Sequence, residues 1–370
     1  MESNLTEFDP VDDPSQTLRA TGCVPTSVTV REHTSQHEHV ESLPVISKSA
    51  TVTAVEAMDR DRRHEVRERL LELGTTHGFA DAVPDEGSID WDRVFDAATS
   101  VDPQLAPQIG SFRDRFERAH PALVRIAFET ETPFDFAAGQ YLSVRFGNRT
   151  RAYSISSSPN REETELCIRR VPDGRLSPRL CDELQVGDRL AVRGPSGHLL
   201  LEDPSERDLA FLATGTGVAP MKSMIDYTFE TGRDEYKGEK RDVWLFLGAA
   251  WADDLPYHEA FQDLASEHDN FHYVPCLSRE SWLADWSGET EYIQDALLKY
   301  VDERALEDAV LGRHMATMLA QQPPTDVDAR IDPGSLEVYA CGINAMVYSL
   351  ETAVTHLGVP TDRVHAEGYG

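Results

Sequence analysis

The arrangement of apolar residues changes near residue 205, and this change constrains the fold of the chain more than any other feature. Between residues 122 and 204, short apolar stretches are separated by turn residues such as Gly187-Asp188, a spacing typical of an antiparallel barrel or sandwich. After residue 205, apolar strands alternate with helical patterns. That alternation predicts a parallel, doubly wound sheet that binds its ligand at the carboxyl ends of its strands. We therefore expect a β domain followed by an α/β domain.

A glycine loop follows the first strand of the α/β part. Its glycines allow the backbone to approach a pyrophosphate, and the N-terminus of the next helix offers N–H groups and the positive end of its dipole. Proline suits the first turn of such a helix. Because a complete G-x-G-x-x-G is absent, an ordinary strand-to-helix turn is the alternative. The candidate binding residues are Gly215, Thr216, Gly217 and Pro220.

Two motifs in the β part indicate a flat, phosphorylated ligand. Arg151 and Tyr153 are two residues apart on an expected strand, so a guanidinium and a ring share one face, and Ser154 follows them. Gly174 and Ser177 precede an expected helix whose N-terminus suits a second phosphate. Taken alone, each motif is only a strand or a turn.

In this order, the motifs resemble those of the ferredoxin–NADP reductase superfamily, and specifically its plant-type branch. The resemblance covers about residues 122–370, plus 48–60. The matching segments are the FAD motif Arg151, Tyr153 and Ser154, the flavin pyrophosphate turn Gly174 and Ser177, the pyridine-nucleotide loop 215–220, and the Cys-Gly motif Cys341 and Gly342. The resemblance implies an FAD-binding β-barrel over 48–204, an NADP-binding α/β domain over 205–370, and hydride transfer between NADPH and FAD.

The resemblance also implies roles for residues around the flavin. Tyr153 would pack against the isoalloxazine, and Ser154 would hydrogen-bond near its N5 atom. Cys341 would contact the nicotinamide, and Glu367 would link Ser154 to solvent or bind the nicotinamide. Tyr369 would cover the flavin, although one glycine follows it. A small buried apolar residue is the alternative for Cys341, and a frayed terminus is the alternative for Tyr369.

Two arginines of the β part are expected at the flavin. Arg151 would neutralise the FAD pyrophosphate. Arg169, with Val171 beside it, is expected to touch the flavin or its phosphates. A solvated strand face is the equal alternative for Arg169.

A second set resembles the family's site for an adenosine 2′-phosphate, and it consists of Ser278, Arg279, Tyr292 and Gln294. A guanidinium forks a phosphate, hydroxyls donate to it, and a tyrosine stacks on adenine. NADPH is therefore favoured over NADH. The cation that often precedes the tyrosine is missing, since Glu289 and Glu291 stand there, which predicts weaker or salt-dependent binding.

The chain departs from the family between residues 62 and 120. Where the family has a short turn between the first two barrel strands, this chain has about sixty residues with helical patterns, such as Val66, Leu70 and Leu73. We expect an inserted helical module beside the barrel. Docking of a partner, a protomer contact and simple cover of the barrel all stay open as its role. Residues 1–47 are polar and without period, which predicts a mobile tail.

The charge of the chain excludes some functions. There are 65 acidic and 35 basic residues, giving a formal net charge of −30, which argues against nucleic-acid binding. No apolar run approaches the ~18 residues of a membrane span, and the first residues lack a signal-peptide pattern, so we expect a cytoplasmic protein. Arginine far outnumbers lysine, which with the acid excess indicates a halophilic source; an ordinary protein of low pI is the alternative.

Metal sites are not expected. The five cysteines include no C-x-x-C pair, which argues against a disulfide framework, a zinc ribbon or an iron–sulfur cluster within this chain. His33, His37 and His39 lie close together, but in the polar tail.

The sequence is compatible with three functions. The leading one is a ferredoxin–NADP reductase that serves a separate acidic carrier, ferredoxin or flavodoxin, through arginines left over from FAD binding. The second is an NAD(P)H-dependent flavin reductase or the reductase component of an oxygenase or other flavoprotein system. The third is a non-catalytic regulatory flavoprotein subunit.

Overall fold

A computed structural model describes residues 35–306, 312–325 and 327–369. Most of the expected tail, including His33, lies outside these ranges. The described part of that tail is not featureless, because helix α1 (Gln36–Ser42) precedes a first strand that begins at Ile46. Within the described ranges, every helix is too short or too polar to cross a lipid bilayer.

The elements are as follows. The strands are β1 Ile46–Ala57, β2 Leu123–Thr130, β3 Tyr141–Phe146, β4 Arg149–Ser154, β5 Thr164–Arg169, β6 Arg189–Ser196, β7 Asp208–Thr214, β8 Glu235–Tyr236, β9 Glu239–Lys240, β10 Val243–Ala249, β11 Phe271–Leu277, β12 Leu336–Ile343 and β13 Val364–Tyr369. The helices after α1 are α2 Arg63–His77, α3 Trp91–Val101, α4 Ala106–Glu117, α5 Ser177–Asp182, α6 Val218–Glu230, α7 His258–Glu267, α8 Ile293–Leu298, α9 Arg313–Leu319 and α10 Asn344–His356.

The first six strands form an antiparallel sheet in the order β4-β3-β6-β1-β2-β5. A bridge between Ile155 and Leu166 joins the two ends of this sheet, so the sheet closes into a barrel. Side chains alternate along its strands as a barrel requires; in β3, Leu142 and Val144 are fully buried while their neighbours are not. The predicted β-barrel is confirmed.

The second unit is a parallel sheet in the order β11-β10-β7-β12-β13. Almost every residue of β7, β10 and β12 is buried, because helices cover both faces of such a sheet. The predicted doubly wound domain is therefore confirmed. The strand order reverses between β7 and β12, so the loops after these two strands diverge and leave a crevice.

The predicted insertion is helical and consists of α2, α3 and α4. Its apolar faces form one core with residues such as Val66, Val94 and Phe112, and Trp251 of the second unit belongs to the same core. The rings of Phe112 and Trp251 stack with centroids 6.3 Å apart. Among the described residues, the apolar core of this module packs against the second unit, while Arg118 pairs with Asp59 after β1.

Candidate functional site

A cavity of about 1050 Å³ opens where the barrel meets the carboxyl ends of the parallel strands. It is lined from the barrel side by β3, β4 and β5, and from the other side by the ends of β7, β10, β11, β12 and β13. The predicted residues that line it are Tyr153, Ser154, Arg169, Val171, Gly215, Thr216, Ser278, Tyr292, Gln294, Cys341, Glu367 and Tyr369.

The remaining predicted residues do not line the cavity wall but lie next to residues that do. They are Arg151, Gly174, Ser177, Gly217, Pro220, Arg279 and Gly342. Most of them lie in a turn or where two backbone segments approach closely.

The glycine loop joins β7 to α6 through a single 3₁₀ turn, Gly215–Gly217. Gly215 has φ +51°, and a Cβ there would meet nothing within 4 Å, so this position demands glycine by conformation and faces open space. A Cβ on Gly217 would lie 2.2 Å from the carbonyl oxygen of Cys341. Pro220 lies in the first turn of α6. The loop thus packs directly on the end of β12.

Gly342 makes the reciprocal approach from β12. A Cβ there would lie 2.6 Å from Oγ1 of Thr214 and 2.0 Å from Cε of Met346. The Cys-Gly pair and the glycine loop therefore fit together at the point where the strand order reverses.

Cys341, Glu367 and Tyr369 meet on the two neighbouring parallel strands β12 and β13. Cys341 is opposite Glu367, and Ile343 is opposite Tyr369. Burial raises the pKa of the Cys341 thiol to about 12, so the thiol is neutral at physiological pH. Burial also raises the pKa of Glu367, with a smaller opposing effect from His198.

Tyr369 bonds to the glycine loop. Its hydroxyl donates to the carbonyl of Thr214 at 3.3 Å and lies 3.5 Å from Oγ1 of Thr216. This places the aromatic ring at the cavity wall, beside the loop proposed to meet a nucleotide.

The barrel side presents Tyr153 and Ser154 at the end of β4. Burial raises the pKa of Tyr153 to about 12, so its ring is a neutral surface. Tyr141, which the sequence reasoning missed, is opposite Ser154 in the sheet register and also lines the cavity. Arg151 lies on the same strand, and its exposed guanidinium donates to the carbonyl of Thr150 at 2.9 Å.

Gly174 and Ser177 form the turn that leads into α5. The backbone N–H of Val171 donates to Oγ of Ser177 at 3.0 Å, and that of Gly174 donates to the carbonyl of Val171 at 2.9 Å. A Cβ on Gly174 would lie 2.8 Å from the same carbonyl. The hydroxyl of Ser177 thus fixes the turn, and Val171 is left half-exposed at the cavity rim.

Arg169 forms an ion pair that the sequence reasoning did not anticipate. Its guanidinium donates to Oδ1 of Asp254 at 2.8 Å, and Arg118 of the insertion donates to the same oxygen at 2.7 Å. Burial opposes ionisation of Asp254, but the two arginines outweigh it and hold the pKa of the carboxyl below its usual range. Asp254 itself lines the cavity. It lies in Asp254-Leu255-Pro256-Tyr257, a further segment that resembles the superfamily, and this resemblance could have found it.

The proposed 2′-phosphate set lies along the far wall. Ser278 lines the cavity, whereas Arg279 is half-buried beside it. Within the described part of the chain, the Arg279 guanidinium has no side-chain hydrogen bond or ion pair. Tyr292 is 67% exposed, so its ring is available for stacking.

The two glutamates before Tyr292 differ in environment. Glu289 is fully buried, and its carboxylate accepts from Nζ of Lys299 at 2.8 Å and from the hydroxyl of Tyr300 at 3.1 Å. Glu291 instead lines the cavity. Of these two glutamates, Glu291 is therefore the one placed to repel an anion in the cavity.

The donor set fits a flavin and a dinucleotide. Two tyrosine rings, Tyr153 and Tyr369, line the same cavity as a serine hydroxyl and a neutral thiol, which suits an uncharged planar ring system. The open side of Gly215 at the start of α6 suits a pyrophosphate. An apolar wall with a few convergent polar groups is the usual form of a cofactor site.

Comparison with known proteins agrees with this geometry. The family described as "Oxidoreductase FAD-binding domain" matches residues 120–200, and "Oxidoreductase NAD-binding domain" matches residues 211–351. Ferredoxin–NADP reductase B of Sorangium cellulosum is 31% identical over 242 residues, which cover 64% of this chain and 86% of that relative. The chain belongs to the ferredoxin–NADP reductase superfamily. Its two matched segments correspond to the FAD-binding and the NAD-binding domain of oxidoreductases.

Two further relatives bear names from phenol hydroxylase systems. The reductase component DmpP of phenol 2-monooxygenase, from a Pseudomonas species, is 30% identical over 247 residues, 65% of this chain and 66% of that relative. The chain spans only 57% of the phenol hydroxylase P5 protein of Acinetobacter pittii.

Solved structures share the fold. Amycolatopsis cytochrome P450 reductase GcoB superposes with a TM-score of 0.57 at 21% identity, covering 88% of this chain and 71% of that one. A Neisseria gonorrhoeae ferredoxin NADP⁺ reductase with bound FAD and NADP gives 0.52 at 22% identity, covering 67% and 93%. The plant-type branch and the halophilic source stay predictions.

Proposed function

We propose that this protein transfers electrons between NADPH and a separate one-electron carrier, as a ferredoxin–NADP reductase. The observation that carries the proposal is that one cavity joins Tyr153 and Ser154 of the barrel to Cys341, Glu367 and Tyr369 of the parallel sheet. A flavin and a nicotinamide would have to meet where these two groups of side chains face each other.

Bound FAD and NADPH would supply the hydride and one-electron chemistry. The chain's own residues would bind and orient them. Tyr153 would support the flat ring, Ser154 would hold a hydrogen bond at its edge, and the neutral Cys341 thiol would contact the nicotinamide without adding charge. Glu367, whose pKa is raised by burial, is suited to hold a proton beside that contact.

Preference for NADPH over NADH is supported by Arg279, whose guanidinium has no competing side-chain partner within the described ranges, and by the neighbouring Ser278. The negative charge of Glu291, on the same wall, opposes this preference for NADPH. Replacing Ser278 and Arg279 together by alanine should weaken NADPH far more than NADH. Calorimetric titration of NADP⁺ and NAD⁺ measures this, and an equal loss for both nucleotides would refute the 2′-phosphate assignment.

An acidic carrier such as ferredoxin or flavodoxin is the proposed partner. Several arginines of the β part that could dock such a carrier are already paired within the chain. Arg169, Arg170 and Arg179 already pair with carboxylates of this chain. Arg149 and Arg175 are exposed on the barrel, and we propose that they contribute to docking of an acidic carrier. Charge reversal at these two positions should lower the rate of carrier reduction most at low salt.

A second candidate is the reductase component of an oxygenase or a flavin reductase, which the resemblance to DmpP favours. Purified protein should be yellow and should bleach with NADPH. Reduction of cytochrome that depends on added ferredoxin, measured in high salt, supports the first candidate. Faster turnover with free flavin or with an oxygenase supports the second. If NADPH does not bleach the bound flavin, the protein is a non-catalytic subunit.

The acidic, arginine-rich composition supports the proposal that the enzyme works in a cytoplasm of high salt concentration.

A further inference from the structure

A buried ion pair links the insertion to the nucleotide side of the cavity. Arg62, directly before α2, is completely buried. Its guanidinium forks the carboxylate of Glu280 with bonds of 2.8 and 2.9 Å, and its Nε donates to Glu65 at 2.7 Å. A bidentate pair of this kind fixes orientation as well as distance.

Glu280 immediately follows Ser278 and Arg279 in the chain. Besides Arg62, its carboxylate accepts from the backbone N–H of Ala252 at 2.7 Å. One carboxylate therefore ties the insertion to two loops of the second unit, the loop after β10 and the loop after β11.

The two loops are also paired with each other. The N–H of Ser278 donates to the carbonyl of Ala249 at 3.1 Å, and that of Arg279 donates to the carbonyl of Ala250 at 3.0 Å. Ser278, Ala249 and Ala250 all line the cavity. Any shift of Glu280 is thus transmitted to the wall on which Ser278 lies.

The insertion holds the same loops through further contacts. Nε of Arg69 donates to the carbonyl of Trp282 at 3.0 Å, and Trp251, between the two tied positions, is part of the module's apolar core. Arg115 and Arg118 pair with Asp253 and Asp254 in the loop after β10. The module therefore contacts these loops through three kinds of interaction: ion pairs, a hydrogen bond to backbone and apolar packing.

We propose that Arg62 is a positioning residue for the nucleotide: through Glu280 it holds Ser278 and Arg279 in the orientation that receives the 2′-phosphate end of NADP(H). This inference rests on the proposed function, since it assumes a dinucleotide in the cavity. It gives the insertion a role in nucleotide binding, which differs from docking a partner or covering the barrel.

The test is calorimetric titration of NADP⁺ and NAD⁺ into the FAD-loaded full chain. Arg62→Met should weaken NADP⁺ binding about tenfold and NAD⁺ binding less than threefold, while the FAD content and flavin absorbance spectrum stay unchanged. Arg62→Lys keeps the charge and should restore part of the loss. Arg113→Met is the control: within the described ranges its side chain, on the exposed side of α4, makes surface ion pairs alone. This variant should bind both nucleotides within twofold of the wild type.

Arg62→Met leaves Glu280 as an unpaired buried charge, which can prevent folding. The double variant Arg62→Met/Glu280→Met removes both charges and should fold, with the same tenfold loss of NADP⁺ affinity. Unchanged NADP⁺ affinity in either folded variant, or an equal loss for NADP⁺ and NAD⁺, overturns the inference. A wild-type protein that binds neither nucleotide overturns the proposed function instead, so the two failures are distinguishable.

Discussion

Cys341 and Glu367 lie opposite each other on the parallel strands β12 and β13, and both side chains line the cavity. Burial raises the pKa of the thiol to about 12 and also raises the pKa of the carboxyl. The pairing places a neutral sulfur next to a group that retains a proton more readily than an exposed glutamate. Each of these two properties can be measured separately.

Glu367 should make stability depend on pH in a defined direction. Its folded pKa is raised above the ordinary 4.5, so its stabilising contribution is complete below about pH 4.5 and is lost as the pH rises through the folded value. Glu367→Gln removes this titration. The melting temperature of the variant, relative to the wild type, should therefore be higher at pH 8 than at pH 4.5. A difference that is constant over this range would contradict the raised pKa.

Cys341 should resist alkylation in the native protein. Raising its pKa from 9.0 to about 12 reduces the thiolate fraction at pH 8 by about 1000-fold, and the residue is also 3% exposed. Iodoacetamide labelling followed by peptide mass spectrometry should find Cys341 unmodified in buffer and fully modified in urea. Rapid labelling of the folded protein would show that the thiol is accessible.

The two-domain order and most of the strands were predictable because they depend on local patterns. The run 271–277 has the apolar, β-branched and aromatic residues of a buried strand, and β11 occupies those residues. Likewise, the turn residues before Ser177 correctly predicted that a helix begins there. Patterns with a period of two or 3.6 residues are read within one element, so no long-range information is needed.

The contacts between elements could not be predicted in this way. Arg62 and Glu280 are 218 positions apart, and no periodicity connects them. Arg169 looked equally suited to a flavin phosphate or to solvent, and its pairing with Asp254 depends on how the second unit packs on the barrel. The packing of the insertion on the second unit could not be predicted for the same reason. An apolar helix face shows that the helix must be covered, but it does not show which element covers it.

The two glycines of the loop after β7 should respond differently to alanine. Gly217→Ala would bring a Cβ within 2.2 Å of the Cys341 carbonyl, and relief of that clash must move backbone, at a cost of about 3 kcal/mol. Gly215→Ala meets no atom but adopts φ +51°, which costs about 1 kcal/mol. The melting temperature should therefore be highest for the wild type, lower for Gly215→Ala and lowest for Gly217→Ala. If Gly215→Ala were the less stable of the two variants, backbone conformation rather than the close approach to β12 would determine which residues this loop accepts.

Tyr369 should compete with the nucleotide for the cavity. Its hydroxyl bonds to Thr214 and lies beside Thr216, so a nicotinamide that enters the same space must break contacts worth about 1 kcal/mol. Tyr369→Ala should raise NADP⁺ affinity about fivefold in calorimetry and lower turnover with ferricyanide, because product leaves more slowly. Tyr369→Phe keeps the ring but loses the same hydroxyl contacts, so it should show a similar gain in affinity and a similar fall in turnover. If alanine weakens NADP⁺ binding instead, the tyrosine is part of the nucleotide site rather than its competitor.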